Sequence, residues 1–276
     1  MADTNHTSSL SPLQGSLLDA LKWFDAFCEA NHLIYYAIGG TLLGAVRHKG
    51  FIPWDDDVDL GMPRKDFDAL DNFISDKGRY VIETYTSPNQ DYCYSHAKVY
   101  DTTTTLVEHK RINVSRGVFL DIFPIDSIGN TLEESYSNYR VVERKFRFYV
   151  SLVTGFRKGR SFAKNAAVFA ARLIPFGFRN QRKLRVRFNR LCATIGPADG
   201  KYVGNLMGAY GKREIVERSL FGSPVRLPFE DMMLSCPSKS EDYLNSIYKN
   251  WRELPPVEKR VSHHDFVFID LTHPYK

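Results

Sequence analysis

The sequence predicts an α/β fold of the α+β kind: a mixed sheet flanked by helices, with a basic helical insertion. Three observations carry this. Runs of β-branched and aromatic residues at 80–85, 95–100, 103–108 and 118–123 have strand length. Helical periodicities flank them, the first placing Leu17, Leu21, Phe24 and Cys28 on one face. Residues 140–190 hold fifteen Lys or Arg and the single acid Glu143, a net +14 against +5 for the whole chain, so the remainder carries −9. A chain of 276 residues, 43% hydrophobic and 25% charged, can bury a sizeable core. The expected division is a catalytic core over 1–130, the basic insertion over 131–200, and a segment over 201–276 that completes the active site.

Ser11 followed by Pro12 starts the first helix, which should pack beneath the first strand. That strand, residues 35–38, ends in Gly39-Gly40, and Leu42, Leu43, Ala45 and Val46 then begin a short helix. Paired glycines let the backbone approach a ligand, and a helix start offers N–H groups and a positive dipole end to a phosphate. A tight turn needing positive φ would use the same pair.

Asp55, Asp56, Asp57 and Asp59 follow, four carboxylates in five residues. With 57–60 as a strand, Asp57 and Asp59 share a face at a Cα separation of roughly 6.6 Å, and Asp55 could join them. Carboxylates this close repel unless a cation sits between them. A hard divalent ion answers that need, Mg²⁺ with phosphate oxygens first and Mn²⁺ as its substitute. Charge runs are usually solvated loops, but those seldom follow Phe51-Ile52-Pro53-Trp54 or alternate with Val58, Leu60 and Met62.

Pro63 opens a helix over 64–76. Arg47 and Lys98 are cations near the pocket that could each hold a phosphate oxygen. The apolar strand over 118–123 is interrupted by Asp121, a lone acid that needs a partner, which the same metal would supply. Asp126, after Pro124, reads as a turn residue. Thr131-Leu132-Glu133-Glu134 is a capping box that starts a helix to about 153, and two more helices are expected near 161–174 and 179–195. Residues 225–229 and 232–236 suggest a hairpin. Ser238-Lys239-Ser240-Glu241 is a second capping box, ahead of a helix over 241–250.

The cysteines Cys28, Cys93, Cys192 and Cys236 have no metal or disulfide spacing, which makes a reduced compartment the default. The polar N-terminus lacks an apolar targeting core and no apolar run reaches spanning length, so a cytoplasmic location is expected. In 140–190, Phe146, Phe148, Tyr149, Leu152 and Phe169 alternate with cations. This suits amphipathic helices lying peripherally on the inner, anionic membrane face, or a subdomain whose apolar side packs inward. The aliphatic company of these aromatics disfavours nucleic acid, and no nucleic-acid partner is expected.

A glycine pair after one strand and Asp-x-Asp on the next is the layout of the nucleotidyltransferase superfamily. GGTLLGAVRHKGFIPWDDDVDLGMPR at 39–64 strongly resembles the LicD family of phosphotransferases, and more distantly the catalytic domain of fukutin-related protein. GVFLDIFPID at 117–126 and LPPVEKR at 254–260 extend the resemblance, while 140–210 adds little. It implies a nucleotidyltransferase-like sheet with Asp57, Asp59 and Asp121 as catalytic and metal-binding residues, Asp121 also accepting the proton of the attacking hydroxyl. Gly39, Gly40 and Thr41 would cradle donor phosphates, with Arg47, Asp55, Lys98, Arg260 and His263 facing substrate. The implied reaction moves phosphocholine from CDP-choline to a hydroxyl of a surface glycan or its lipid-linked precursor, releasing CMP. Related transfers of phosphoethanolamine, glycerol phosphate or ribitol phosphate, and true nucleotidyl transfer releasing pyrophosphate, stay open.

Overall fold

A computed structural model of the chain describes residues 10–89, 91–108, 110, 113–154, 165–166, 169–170, 181–262 and 266–275. Helix α1, Pro12–Ala30, starts as its cap predicts: Ser11 Oγ accepts from the Gln14 N–H and the Gln14 side chain returns the bond to the Ser11 N–H. Its apolar stripe, with Leu17, Leu21, Phe24 and Cys28, is buried across the main sheet.

The expected mixed sheet is present. Its main body has strand order β1 (Tyr36–Ala37), β2 (Asp59–Pro63), β7 (Phe119–Gly129), β4 (Ala97–Asp101), β3 (Tyr80–Glu83). β2 and β7 run parallel, whereas β1 on β2, β4 on β7 and β3 on β4 are antiparallel. β7 is 11 residues long, well beyond the stretch expected from its apolar run. Where β4 ends, β8 (Tyr202–Asn205) takes over the same edge of β7, and β9 (Val216–Glu217) adds to β8. Residues 201–217 therefore complete the sheet begun by the first 130. β5 (Thr105–Glu108), β6 (Val114–Arg116) and β12 (Phe266–Asp270) form a small second sheet. β10 (Val225–Phe229) and β11 (Met232–Cys236) form the expected hairpin.

Helix α2, Gly39–His48, begins at the glycine pair itself, earlier than the sequence pattern suggests. The helix expected over 64–76 is shorter: α3 spans Arg64–Ala69 and tightens into a 3₁₀ turn at Leu70–Phe73. α4 spans Leu132–Val153. Its capping box is shared with the preceding residue: Thr131 Oγ1 accepts from the Glu134 N–H, but Glu134 Oε2 accepts from the Asn130 N–H. α5 spans Gln181–Thr194 and α6 spans Ser240–Ile247. The second capping box does not form, because Lys239 occupies the cap position and the Ser238 hydroxyl donates instead to the Leu220 carbonyl. The helix expected near 161–174 lies largely outside the described residues.

α4 and α5 pack on the sheet, burying Tyr139, Val142, Phe188 and Cys192 with Ile128, Leu206, Met207 and Ile215. All four cysteines are buried and free. No described helix is long and apolar enough to cross a membrane.

Asp126 corrects an expectation. It is not a turn residue but lies within β7, fully buried, and receives both Nε and Nη2 of Arg64 at 2.7 Å. Burial pushes its pKa up, and Arg64 offsets that only in part. Breaking a buried pair strands the remaining charge, so Asp126→Ala should cost about 3 kcal/mol or more in urea unfolding.

Candidate active site

The acidic loop is held on three sides. From α1, the Gln14 side-chain amide donates to the carbonyls of Ile52, at 3.3 Å, and Asp55, at 3.0 Å. From α2, Thr41 Oγ1 accepts from the Asp59 N–H at 2.9 Å. From the C-terminal segment, the Ser262 hydroxyl donates to Asp56. The glycine pair serves this packing. Gly39 adopts φ +53°, and a Cβ on Gly40 would lie 2.9 Å from Asp55 Oδ2, so any side chain there would displace the carboxylate. The start of α2 thus lies against Asp55 and Asp59, and the sites predicted for phosphate and for metal adjoin one another.

β2 begins at Asp59, so Asp57 precedes the strand instead of sharing a strand face with Asp59. The alignment that matters is across strands. Asp59 pairs with Asp121 in the parallel β2–β7 register, Asp121 with Lys98 between β7 and β4, and Lys98 with Glu83 between β4 and β3. Register partners share a face, so these four side chains form one row. Asp121 N–H also donates to the Val58 carbonyl at 2.9 Å, extending the ladder by a residue.

Asp121 Oδ1 receives Lys98 Nζ at 2.9 Å and His96 Nε2 at 2.8 Å. Burial alone would raise its pKa, but Lys98 and then His96 more than reverse this and hold it well below the usual carboxylate range. Asp121 is therefore a weak proton acceptor. Lys98 is buried, its ammonium 3.1 Å from the Phe119 ring centroid and 3.4 Å from Glu108, which places it beneath Asp121. Asp59 has the opposite environment. Burial first, then Asp57, Asp121, Asp55 and Glu214, drive its pKa well above the ordinary value.

Oxygen ligands of Asp55, Asp56 and Asp57 all lie within 4.8 Å of one another. This donor set, all carboxylate, together with the destabilised charge on Asp59, fits a hard cation: such a group could bind a metal.

Beside Asp55 and Gly40 opens a cavity of about 760 Å³, lined also by Arg47, Trp54, Tyr210, Tyr248 and much of the segment from Lys249 to Val261, though not by Arg260. Arg47 lines the cavity and its Nη1 donates to the carbonyls of Trp251 and Glu253, while Arg260, outside the lining, ties its Nε to the carbonyl of Pro255, which does line it. His263 lies outside the described residues. Of the residues singled out from the sequence, Gly40, Asp55 and Arg47 line the cavity, Gly39 and Thr41 lie against Asp59, and Asp121 and Lys98 continue the row from Asp59 in the sheet. Sequence reasoning missed His96, although its i, i+2 spacing to Lys98 signalled a shared strand face. It also missed Glu214, Tyr210 and Tyr248, whose separations along the chain give no such signal.

A carboxylate row on a mixed sheet, next to a helix opened by two glycines, defines a domain of nucleotidyltransferase type. Residues 32–168 match the family described as LicD/FKTN/FKRP, nucleotidyltransferase domain. The chain is 29% identical over 252 residues to the lipopolysaccharide cholinephosphotransferase LicD of Haemophilus influenzae, covering 90% of this chain and 92% of that protein. It is 43% identical over 51 residues to the human ribitol 5-phosphate transferase FKRP, 18% of this chain and 10% of the relative. It is also 25% identical over 141 residues to mannosyltransferase regulator 4 of Saccharomyces cerevisiae, 48% and 11% respectively. Residues 32–168 thus carry a nucleotidyltransferase domain of the LicD/FKTN/FKRP kind, and the near full-length similarity to LicD supports transferase activity.

Glu214 gives a test of the site's electrostatics. It is buried, and its Oε1 accepts the Tyr210 N–H at 3.0 Å; burial outweighs that bond and the nearby Arg213, pushing its pKa from 4.5 to about 7. With the folded pKa above the unfolded one, its contribution to stability is fully present below about pH 4.5 and is lost as pH rises through 7, to a limit of about 3 kcal/mol. Glu214→Gln should therefore raise the thermal midpoint at pH 8, and the gain should vanish by about pH 5.

Proposed function

We propose that this protein transfers phosphocholine from CDP-choline to a hydroxyl of a cell-surface glycan or its lipid-linked precursor, releasing CMP. The observation that carries the reading is the placing of the cavity: about 760 Å³, within the range of small-molecule sites, and opening directly on Asp55 and Gly40. The near full-length similarity to a protein named for cholinephosphate transfer to lipopolysaccharide supports the choice of group and acceptor.

Asp57, Asp59 and Asp121 are the residues that would hold Mg²⁺, or Mn²⁺ in its place, with Asp55 and Asp56, whose oxygens lie within 4.8 Å of those of Asp57, beside them. Such an ion, when bound, neutralises charge on the departing phosphate. The chain's own residues do the rest. Lys98 and His96 both engage Oδ1 of Asp121, fixing its orientation and keeping it ionised. The start of α2, with Gly39, Gly40 and Thr41, offers backbone N–H groups to the donor diphosphate. Arg47 and Arg260 hold the loop that closes the cavity. The glycan oxygen forms a bond to the phosphorus bearing choline as the bond from that phosphorus to CMP breaks, CMP leaves with that electron pair, and the hydroxyl proton passes to solvent water.

A second reading, transfer of another phosphoryl alcohol, is favoured by the 51-residue match to a relative named for ribitol 5-phosphate. Incubation with a panel of CDP-alcohols separates the two by which donor gives CMP, while release of pyrophosphate from a nucleoside triphosphate would overturn both.

The described part of the basic segment supports peripheral contact with an anionic membrane. Arg140, Arg144, Lys145 and Arg147 on α4 and Arg182, Lys183, Arg187 and Arg190 on α5 are exposed, with Phe148 and Phe169 about half exposed among them. This would bring the site to a lipid-linked acceptor at the inner membrane face.

Asp59→Asn should lower the rate of CMP release by roughly 10²-fold or more while leaving the fold intact by circular dichroism; near-normal turnover in Mg²⁺ would remove the metal role. Charge reversal at Arg182, Lys183 and Arg187 should weaken sedimentation with anionic liposomes, an effect that shrinks as added salt screens the charges.

A further inference from the structure

Three aromatic rings that converge in the cavity play no part in the phosphate chemistry. Tyr210 and Tyr248 meet nearly at right angles, with centroids 4.9 Å apart at 72°, and form a corner. Their hydroxyls bond each other at 2.7 Å. Trp54 stands on the acidic loop beside Asp55, and the Arg260 guanidinium lies 5.6 Å from its ring centroid, so this ring already receives a cation. Burial, then the partner phenol and Asp59, push the Tyr248 pKa up, which keeps it a neutral ring beside the carboxylates.

The chemistry of these walls selects among ligands. A primary ammonium brings three N–H donors and a polyol several hydroxyls, and each loses affinity where those groups find no partner. The tyrosine hydroxyls are engaged with each other. A trimethylammonium group has no N–H to satisfy; it presents methyls and a diffuse positive charge, which aromatic faces bind well. We infer that Trp54, Tyr210 and Tyr248 form a subsite for a quaternary ammonium group, so that the cavity discriminates for a trimethylated phosphoryl alcohol against an amine or a polyol. This inference rests on the transfer reading above, because it supposes that the alcohol end of the donor lies in this cavity.

The test is equilibrium binding to the full chain, followed by tryptophan fluorescence and checked by calorimetry, with phosphocholine, phosphoethanolamine and CMP as separate probes. Wild type should bind phosphocholine roughly 3- to 30-fold more tightly than phosphoethanolamine. Tyr248→Leu should erase that preference and leave CMP affinity unchanged, whereas Tyr248→Phe, which keeps the ring, should retain it. Trp54→Leu, on the loop, provides a second variant if Tyr248→Leu fails to fold. Equal binding of the two phosphoryl alcohols by wild type would overturn the inference, as would a preference that survives both leucine variants. CMP affinity falling in step with phosphocholine would also overturn it and assign the rings to the nucleobase. Phosphocholine preference without CMP release from CDP-choline would support the subsite while removing the transfer reading.

Discussion

Asp59 and Asp121 stand side by side because β2 and β7 run parallel in a fixed register. That placing is unfavourable by itself: two carboxylates at the edge of a core repel, and desolvation sharpens the repulsion. The fold answers one of the two charges. Lys98, brought alongside by β4, pairs its ammonium with Asp121, and His96, just before that strand, hydrogen-bonds the same oxygen. Asp59 is left among acids, its charge unfavourable until a proton or a cation arrives. With the charge on one acid favoured by Lys98 and that on its neighbour lacking such a partner, the acids around Asp59 form a group that could bind a metal.

β7 separates structure from chemistry along a single strand. Asp121 and Asp126 lie five residues apart, an odd spacing, so they point to opposite faces. Asp121 faces the row with Lys98, whereas Asp126 is closed off by Arg64, which also reaches Asn189 of α5 at 3.4 Å. The side of the sheet that carries Asp59 and Asp121 can thus hold unfavourable electrostatics while the other side anchors α3 and the helices that follow.

The local grammar of the fold was legible in the sequence. The Ser11 cap, the helix starting around the glycine pair, the hairpin at 225–236 and the acid inside an apolar strand each follow from a short-range rule. Long-range pairing was not. Nothing near Pro124 signals that β7 runs on to Gly129, because β8, whose pairing extends it, lies some 75 residues downstream. Asp126 read as a turn residue for the same reason: its partner Arg64 is 62 residues away. The acids of the site could be found from composition alone. The aromatic corner could not, since Tyr210 and Tyr248 come from separate irregular segments that meet only through the fold.

The side-chain amide of Gln14 both closes the first turn of α1 and holds the carbonyls of Ile52 and Asp55. The first helical turn and the loop bearing the acids are in consequence one mechanical unit. Unwinding that turn, whether by trimming the chain to within a few residues of Ser11 or by fusing a bulky partner there, would slacken the loop from a distance. For anyone engineering this enzyme, the start of α1 is therefore not neutral ground.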